Sequence, residues 1–118
     1  MRDFRKLEIW KNGIELVKQV YQLSNKLPSE EKFGLRSQLT RASVSVPSNI
    51  AEGCSRNSEI EFKRFLEISM GSLFEVNTPL IIAQELSFIK KDELEAIFSL
   101  IQKEARMINS LISKIKNS

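Results

Sequence analysis

The chain has 118 residues, 42% hydrophobic and 28% charged, with a net charge of +3; that suffices for one domain, since domains commonly run to roughly 100–150 residues. Histidine is absent and Cys54 is the single cysteine, which excludes Ser-His-Asp and Cys-His nucleophiles, Cys/His zinc sites, the Glu-x-x-His ligands of di-iron bundles and an intrachain disulfide. The longest apolar run, Leu80 to Ala83, is far short of the roughly 20 residues that cross a bilayer. The charged start Met1-Arg2-Asp3-Phe4-Arg5-Lys6 lacks a signal-peptide pattern, so no membrane span and a cytoplasmic address are expected.

Along the chain, Leu7, Trp10, Ile14, Val17, Tyr21 and Ser24 step by threes and fours, with Glu8, Lys11, Glu15, Lys18 and Gln22 opposite; this spacing predicts a first amphipathic helix with the former stripe inward. Leu27-Pro28-Ser29 ends it, because the residue before proline is pushed away from helical angles. Ser29 is expected to cap a second helix running to about Gly53, with Leu35, Leu39, Ala42, Val46 and Ile50 on its inner face. Pro47 lies inside it and predicts a kink, with Ser43 near the freed carbonyl. Gly53 suits a left-handed helix end, and Ser58 with Glu61 reads as a capping box opening a third helix.

The third helix places Phe62, Phe65, Ser69, Ser72, Val76, Leu80 and Ala83 on one seam, where small residues admit a close neighbour, and Pro79 is expected to bend it. Asp92 opens a fourth helix with Leu94, Ile97, Phe98, Ile101, Ala105, Ile108, Leu111, Ile112 and Ile115 inward. Strand signals are missing, so the expected fold is all-α: an antiparallel up-and-down four-helix bundle forming a single domain over residues 1–118.

A second apolar stripe remains on several helices: Ile9, Leu16, Val20 and Leu23 on the first, Met70, Phe74 and Ile81 on the third, Leu100 and Met107 on the fourth. One core cannot take both stripes, and large apolar patches mark interaction surfaces, so a homo-oligomer is expected.

The densest polar stretch is Leu35 to Gly53, LRSQLTRASVSVPSNIAEG. Gln38, Arg41, Ser45 and Glu52 fall on roughly one side of the helix, with Asn49 one turn past Ser45. Buried polar groups need partners, so Gln38, Arg41, Ser45, Asn49 and Glu52 are read as a structural network holding the Pro47 region, against the alternative of a ligand or nucleic-acid contact site.

Leu35, Gln38, Leu39, Arg41, Ala42, Ser45, Pro47, Asn49, Ile50, Ala51, Glu52 and Gly53, followed by Phe62, Phe65, Leu66, Gly71, Ser72 and Glu75, carry a family resemblance. The sequence resembles the small four-helix-bundle proteins encoded in intervening sequences of bacterial 23S rRNA genes, related to the accessory variability determinant of diversity-generating retroelements. The resemblance implies a homopentameric barrel of bundles and does not imply a catalytic site; no cofactor is expected. For the retroelement relatives it also implies association with RNA and a reverse transcriptase.

The leading functional expectation is thus a non-enzymatic oligomeric scaffold that associates with RNA or DNA through backbone phosphates. Arg36, Arg56, Lys63 and Arg64, with Arg2, Arg5 and Lys6, are the candidate contacts, and five copies at +3 each would carry +15. The alternative is a protein–protein adaptor or structural oligomer whose apolar seam accepts a partner helix. Among acids, Glu52, Glu59, Glu61 and Glu75 are available for catalysis, but capping and solvation account for them more simply.

Overall fold

The computed structural model describes residues 2–116. Those residues form four α-helices and no strand: α1 (Glu8–Ser24), α2 (Leu35–Cys54), α3 (Glu59–Glu85) and α4 (Lys91–Lys116), with short 3-10 turns at Phe4–Lys6 and Ser29–Glu31. Each helix packs on its neighbour in the chain and α4 returns to α1, closing a four-helix bundle whose most extensive contact is that of α2 with α3. The bundle measures 45 × 23 × 20 Å.

The core face of α1 is centred on the second apolar stripe rather than the expected one, of which Ser24 is buried and Leu7 and Trp10 pack against the core only in part. Ile9, Gly13, Leu16, Val20 and Leu23 are buried, whereas Ile14 and Tyr21 are exposed. Both stripes are apolar, so periodicity alone could not choose between them. The deciding feature is Gly13: a Cβ there would stand 3.3 Å from the Pro47 Cβ, so its bare backbone is what lets α1 approach α2 at the proline. Leu16 is therefore core, and Leu100, Met107 and Met70 are also packed against the core in part.

The start of α2 differs as well. Ser29 does not cap it; its hydroxyl donates to the Glu30 carboxylate at 3.0 Å. The helix begins only at Leu35, because Gly34 adopts φ −103°, ψ −112°, outside the helical basin. The free Leu35 N–H is taken by the Glu31 carboxylate at 3.1 Å. Within α2, the Ser43 hydroxyl donates to the Thr40 carbonyl at 2.8 Å rather than serving Ser43's own carbonyl, which Pro47 leaves without an N–H.

Gly53 is not a left-handed helix end: no glycine has positive φ, and the helix runs on to Cys54. Glycine is needed there for space. A Cβ at position 53 would meet the Phe65 Cβ at 2.9 Å and the Phe62 ring at 3.1 Å. After the turn, Ser58 caps α3 as expected, accepting from the Glu61 N–H at 3.1 Å.

By length and composition α3 is apolar enough to cross a bilayer. In the bundle, however, Phe62, Leu66, Leu73, Val76 and Leu80 of its inner face are fully buried. It closes in a Schellman motif: the Phe88 N–H returns to the Ala83 carbonyl at 2.8 Å and the Ser87 N–H to Gln84 at 3.0 Å. Ser87 takes φ 61°, a left-handed conformation that costs a non-glycine residue roughly 1–2 kcal/mol. The Glu93 carboxylate then anchors the start of α4, accepting from the Lys90 N–H at 3.1 Å and pairing with Lys26 at 2.6 Å. Those two partners hold its carboxyl below the usual range, the Lys26 hydrogen bond foremost.

Two outcomes follow for equilibrium urea unfolding. Leu16→Glu should destabilise the bundle by more than the roughly 2–5 kcal/mol of a buried leucine truncation, because it also buries a charge, while Ile14→Glu should stay within about 0.5 kcal/mol of the parent. Ser87→Gly should stabilise the fold by about 0.5–1 kcal/mol by relieving the positive φ.

Candidate interaction surface on helices two and three

An open groove of about 640 Å³ runs between α2 and α3. Gln38, Arg41 and Ser45 line it from α2, and Ser72, Glu75 and Thr78 from α3, with the apolar Phe74, Pro79 and Ile82 alongside. These positions converge for a simple reason. Residues 38, 41 and 45 repeat at helical spacing on one side of α2, and 72, 75, 79 and 82 do the same on α3.

The floor is a short polar ladder. The Asn49 amide donates to the Ser45 carbonyl at 2.8 Å and to the Ser45 hydroxyl at 2.9 Å. That hydroxyl lies 2.8 Å from Ser72 Oγ, joining the two helices. One turn deeper, the buried Ser69 hydroxyl donates to the Val46 carbonyl at 2.9 Å. Thus α3 is pinned to α2 immediately before Pro47.

Of the five residues read as one network, Ser45 and Asn49 meet, while Gln38, Arg41 and Glu52 do not join them. Gln38 and Arg41 stand exposed on the groove wall, and among the described residues Arg41 has no ion pair. Glu52 faces solvent and holds Arg56 at 3.3 Å, one turn on. The density of polar residues suggested a buried cluster. In fact the helix shares them between an interhelical ladder and an open surface.

The candidate cations are divided between the ends of the bundle. Arg36 sits in the first turn of α2, bonded to the Asn25 side chain at 3.0 Å, roughly 27 Å along the helix from Cys54 at about 1.5 Å per residue. Arg56 stacks 5.0 Å from the Phe65 ring centroid and is paired to Glu52. Arg2 lies 4.0 Å above the Phe62 ring and pairs with Glu59 at 2.6 Å, a contact that raises the guanidinium pKa and lowers that of the carboxyl. Arg5 is 4.0 Å from Asp3. Among the described residues this leaves Lys6, Arg36, Lys63 and Arg64 of the candidates without ion pairs, with Lys63 and Arg64 interleaved with Glu61 and Glu67. Cys54 is buried, which pushes its thiol pKa up.

The sequence reading missed Glu104. It occupies the core stripe Leu94, Ile97, Ile101, Glu104, Ile108 and is fully buried. Its Oε1 accepts from the Asn12 amide at 3.1 Å, and its Oε2 has no partner. Burial pushes this carboxyl up to about 7. The signal was present: a glutamate at step three from Ile101 and step four before Ile108 falls on an otherwise apolar heptad stripe.

The family of 23S rRNA-intervening sequence proteins matches residues 5–110. The chain belongs to this family. No curated protein matches it. A crystal structure from Bacteroides thetaiotaomicron, of a protein with unknown function from the S23 ribosomal protein family, superposes with a TM-score of 0.81. At 22% identity it covers 88% of this chain and 97% of its own, so the two share the bundle fold. The match extends from Arg5 to Ser110 and includes the α2–α3 groove on which the resemblance residues Gln38, Arg41, Ser45, Ser72 and Glu75 converge.

If the ladder holds the helices together, Asn49→Ala should lower stability by about 1–2 kcal/mol as the Ser45 groups lose a donor. Arg41→Ala should change it by no more than about 0.5 kcal/mol. Urea midpoints of the two variants measure the contrast.

Proposed function

We propose that the protein is a non-enzymatic scaffold whose bundle, with helices running antiparallel, assembles into a closed ring of identical chains, a pentamer, acting in the cytoplasm. The observation that carries this reading is the outer face of α3. Phe74 is 61% exposed, Ile81 45%, Ile68 43% and Ile82 39%, and Phe74 and Ile82 border the polar groove where Arg41 and Glu75 stand. Apolar area beside groups able to make ion pairs is the composition of an interface core with its rim. The chain offers no histidine for acid–base work, and the α2–α3 polar groups are spent on holding helices or lie in an open groove, which favours assembly over catalysis.

Association with RNA or DNA through backbone phosphates is the second part of the proposal. Its support is the family, together with the net +3 of each chain. With Arg2, Arg5 and Arg56 in pairs and Arg36 at the far end of α2, bonded to Asn25, the phosphate contacts fall to Lys63, Arg64 and Lys6, and affinity depends on assembly bringing several copies of that end together. A reverse transcriptase is the protein partner suggested by the resemblance to retroelement determinants. The alternative reading, a protein adaptor without nucleic-acid binding, uses the same apolar face.

Light scattering tests the assembly. The parent should run well above the 13.6 kDa of one chain at micromolar concentration, and Phe74→Glu should yield a folded, smaller species; a monomeric parent contradicts the proposal. Titration of labelled RNA tests the second part: log affinity should fall linearly with log salt at about −0.7 to −0.9 per phosphate neutralised. Lys63→Ala with Arg64→Ala should flatten the slope, weakening unrelated sequences alike. Absence of binding at about 50 mM salt, where phosphate-driven affinity is high, would favour the adaptor.

A further inference from the structure

The contact between α1 and α4 contains a group that no scaffold requires. Glu104 is fully buried, and one of its carboxylate oxygens has a single side-chain donor, Asn12, whose amide also points at the Leu100 carbonyl at 3.5 Å. The other oxygen has none. It would stand 3.4 Å from a Cβ at Gly13, and Pro47 of α2 walls the same spot. Glycine and proline leave the orphan oxygen facing the contact on which α1, α2 and α4 converge. An unpaired carboxylate in such a place is costly, whereas a neutral acid is tolerated at the cost of one unmade hydrogen bond.

We propose that Glu104 is a proton-controlled latch between α1 and α4: the neutral acid lets the helices close over Asn12 and Gly13, and the carboxylate loosens them. Among the described residues no opposite charge is buried beside it to rescue the ionised form. From α1 the site meets Asn12 and Gly13, and from α2 it meets Pro47. Buried polar residues elsewhere in the described core are serines, with no lysine or arginine among them. The charge of Lys103, its exposed neighbour on α4, favours the carboxylate and is outweighed by burial. Glu8 and Glu15 of α1 are paired on the surface with Lys11 and Lys18.

The sign of the effect is fixed by linkage. The folded-state pKa of Glu104 is about 7, above the roughly 4.3 of an unfolded glutamate. The folded chain therefore holds the extra proton between these values, so stability falls as pH rises through that window and the loss is complete above it. Glu59 and Glu93 are instead held below the usual carboxylate value, by Arg2 and by Lys26 respectively, and so contribute nothing to a loss of stability near neutral pH. Cys54, raised from 9.0, titrates above it.

The test compares the parent with Glu104→Gln, a neutral isostere, in thermal melts from pH 5.5 to 8.5. The parent midpoint should drop by about 5–10 °C across the range. Glu104→Gln should flatten the profile and melt above the parent at pH 8.5. Amide exchange in α1 and α4, corrected for its intrinsic pH dependence, should accelerate over the same window in the parent alone. Should Glu104→Gln fail to fold, carbon-13 titration of the Glu104 carboxyl in the parent decides. A midpoint near 7 sustains the latch; a midpoint below about 5, or a parent profile as flat as the variant's, overturns it.

Discussion

The close approach of α2 to α3 is the constraint on which the rest of the structure depends. Two helices come together this tightly only where side chains at the contact are small, and the sequence supplies Gly53 under Phe62 and Phe65, then Ser69 against the Val46 carbonyl and Ser72 against Ser45. Each serine fills space as a small residue and also satisfies a polar group that would otherwise be orphaned. Pro47 fits within this arrangement. Its ring packs toward Gly13 of α1 on one side, while α3 grips the preceding carbonyl on the other, so the break in the hydrogen-bond ladder is enclosed by contacts with two helices.

With the inner faces of α2 and α3 committed to each other, their outer edges are left to solvent or to a partner. The groove at this edge combines Gln38, Arg41 and Glu75 with Phe74 and Ile82. Scattered apolar residues are ordinary on a protein surface. Here they recur along the outer face of one helix and border polar side chains with no structural duty in the isolated bundle, the pattern expected of an assembly surface. The basic residues contribute less than their number suggests, because Arg2 and Arg56 at the α2–α3 turn, and Arg5 in the turn before α1, are already paired with carboxylates.

The number of helices, the Ser58 cap and the inner seam of α3 were legible in the sequence, since strong periodicity and a side-chain cap are local signals. The face of α1 was not. Ile14 and Tyr21 compete with Leu16 and Val20 on nearly equal terms, and the choice rests on Gly13 meeting Pro47, a contact between distant parts of the chain. Gly53 looked like a helix end because glycine's conformational freedom is read more readily than its lack of volume. The polar stretch of α2 was recognised as special but assigned inward as a whole, when Arg41 and Glu52 face out. Glu104 was overlooked because a carboxylate is taken for a surface residue unless its place in an apolar stripe is weighed.

The central claim is that the α2–α3 edge is covered by another copy of the chain, and small-angle X-ray scattering over a dilution series tests it most directly. A single bundle has a Cα radius of gyration of 14.8 Å. The account predicts a radius clearly larger than this at micromolar concentration, collapsing toward the single-bundle value when Phe74 is replaced by glutamate. A parent that scatters as one 45 Å rod-like bundle throughout the series would contradict it.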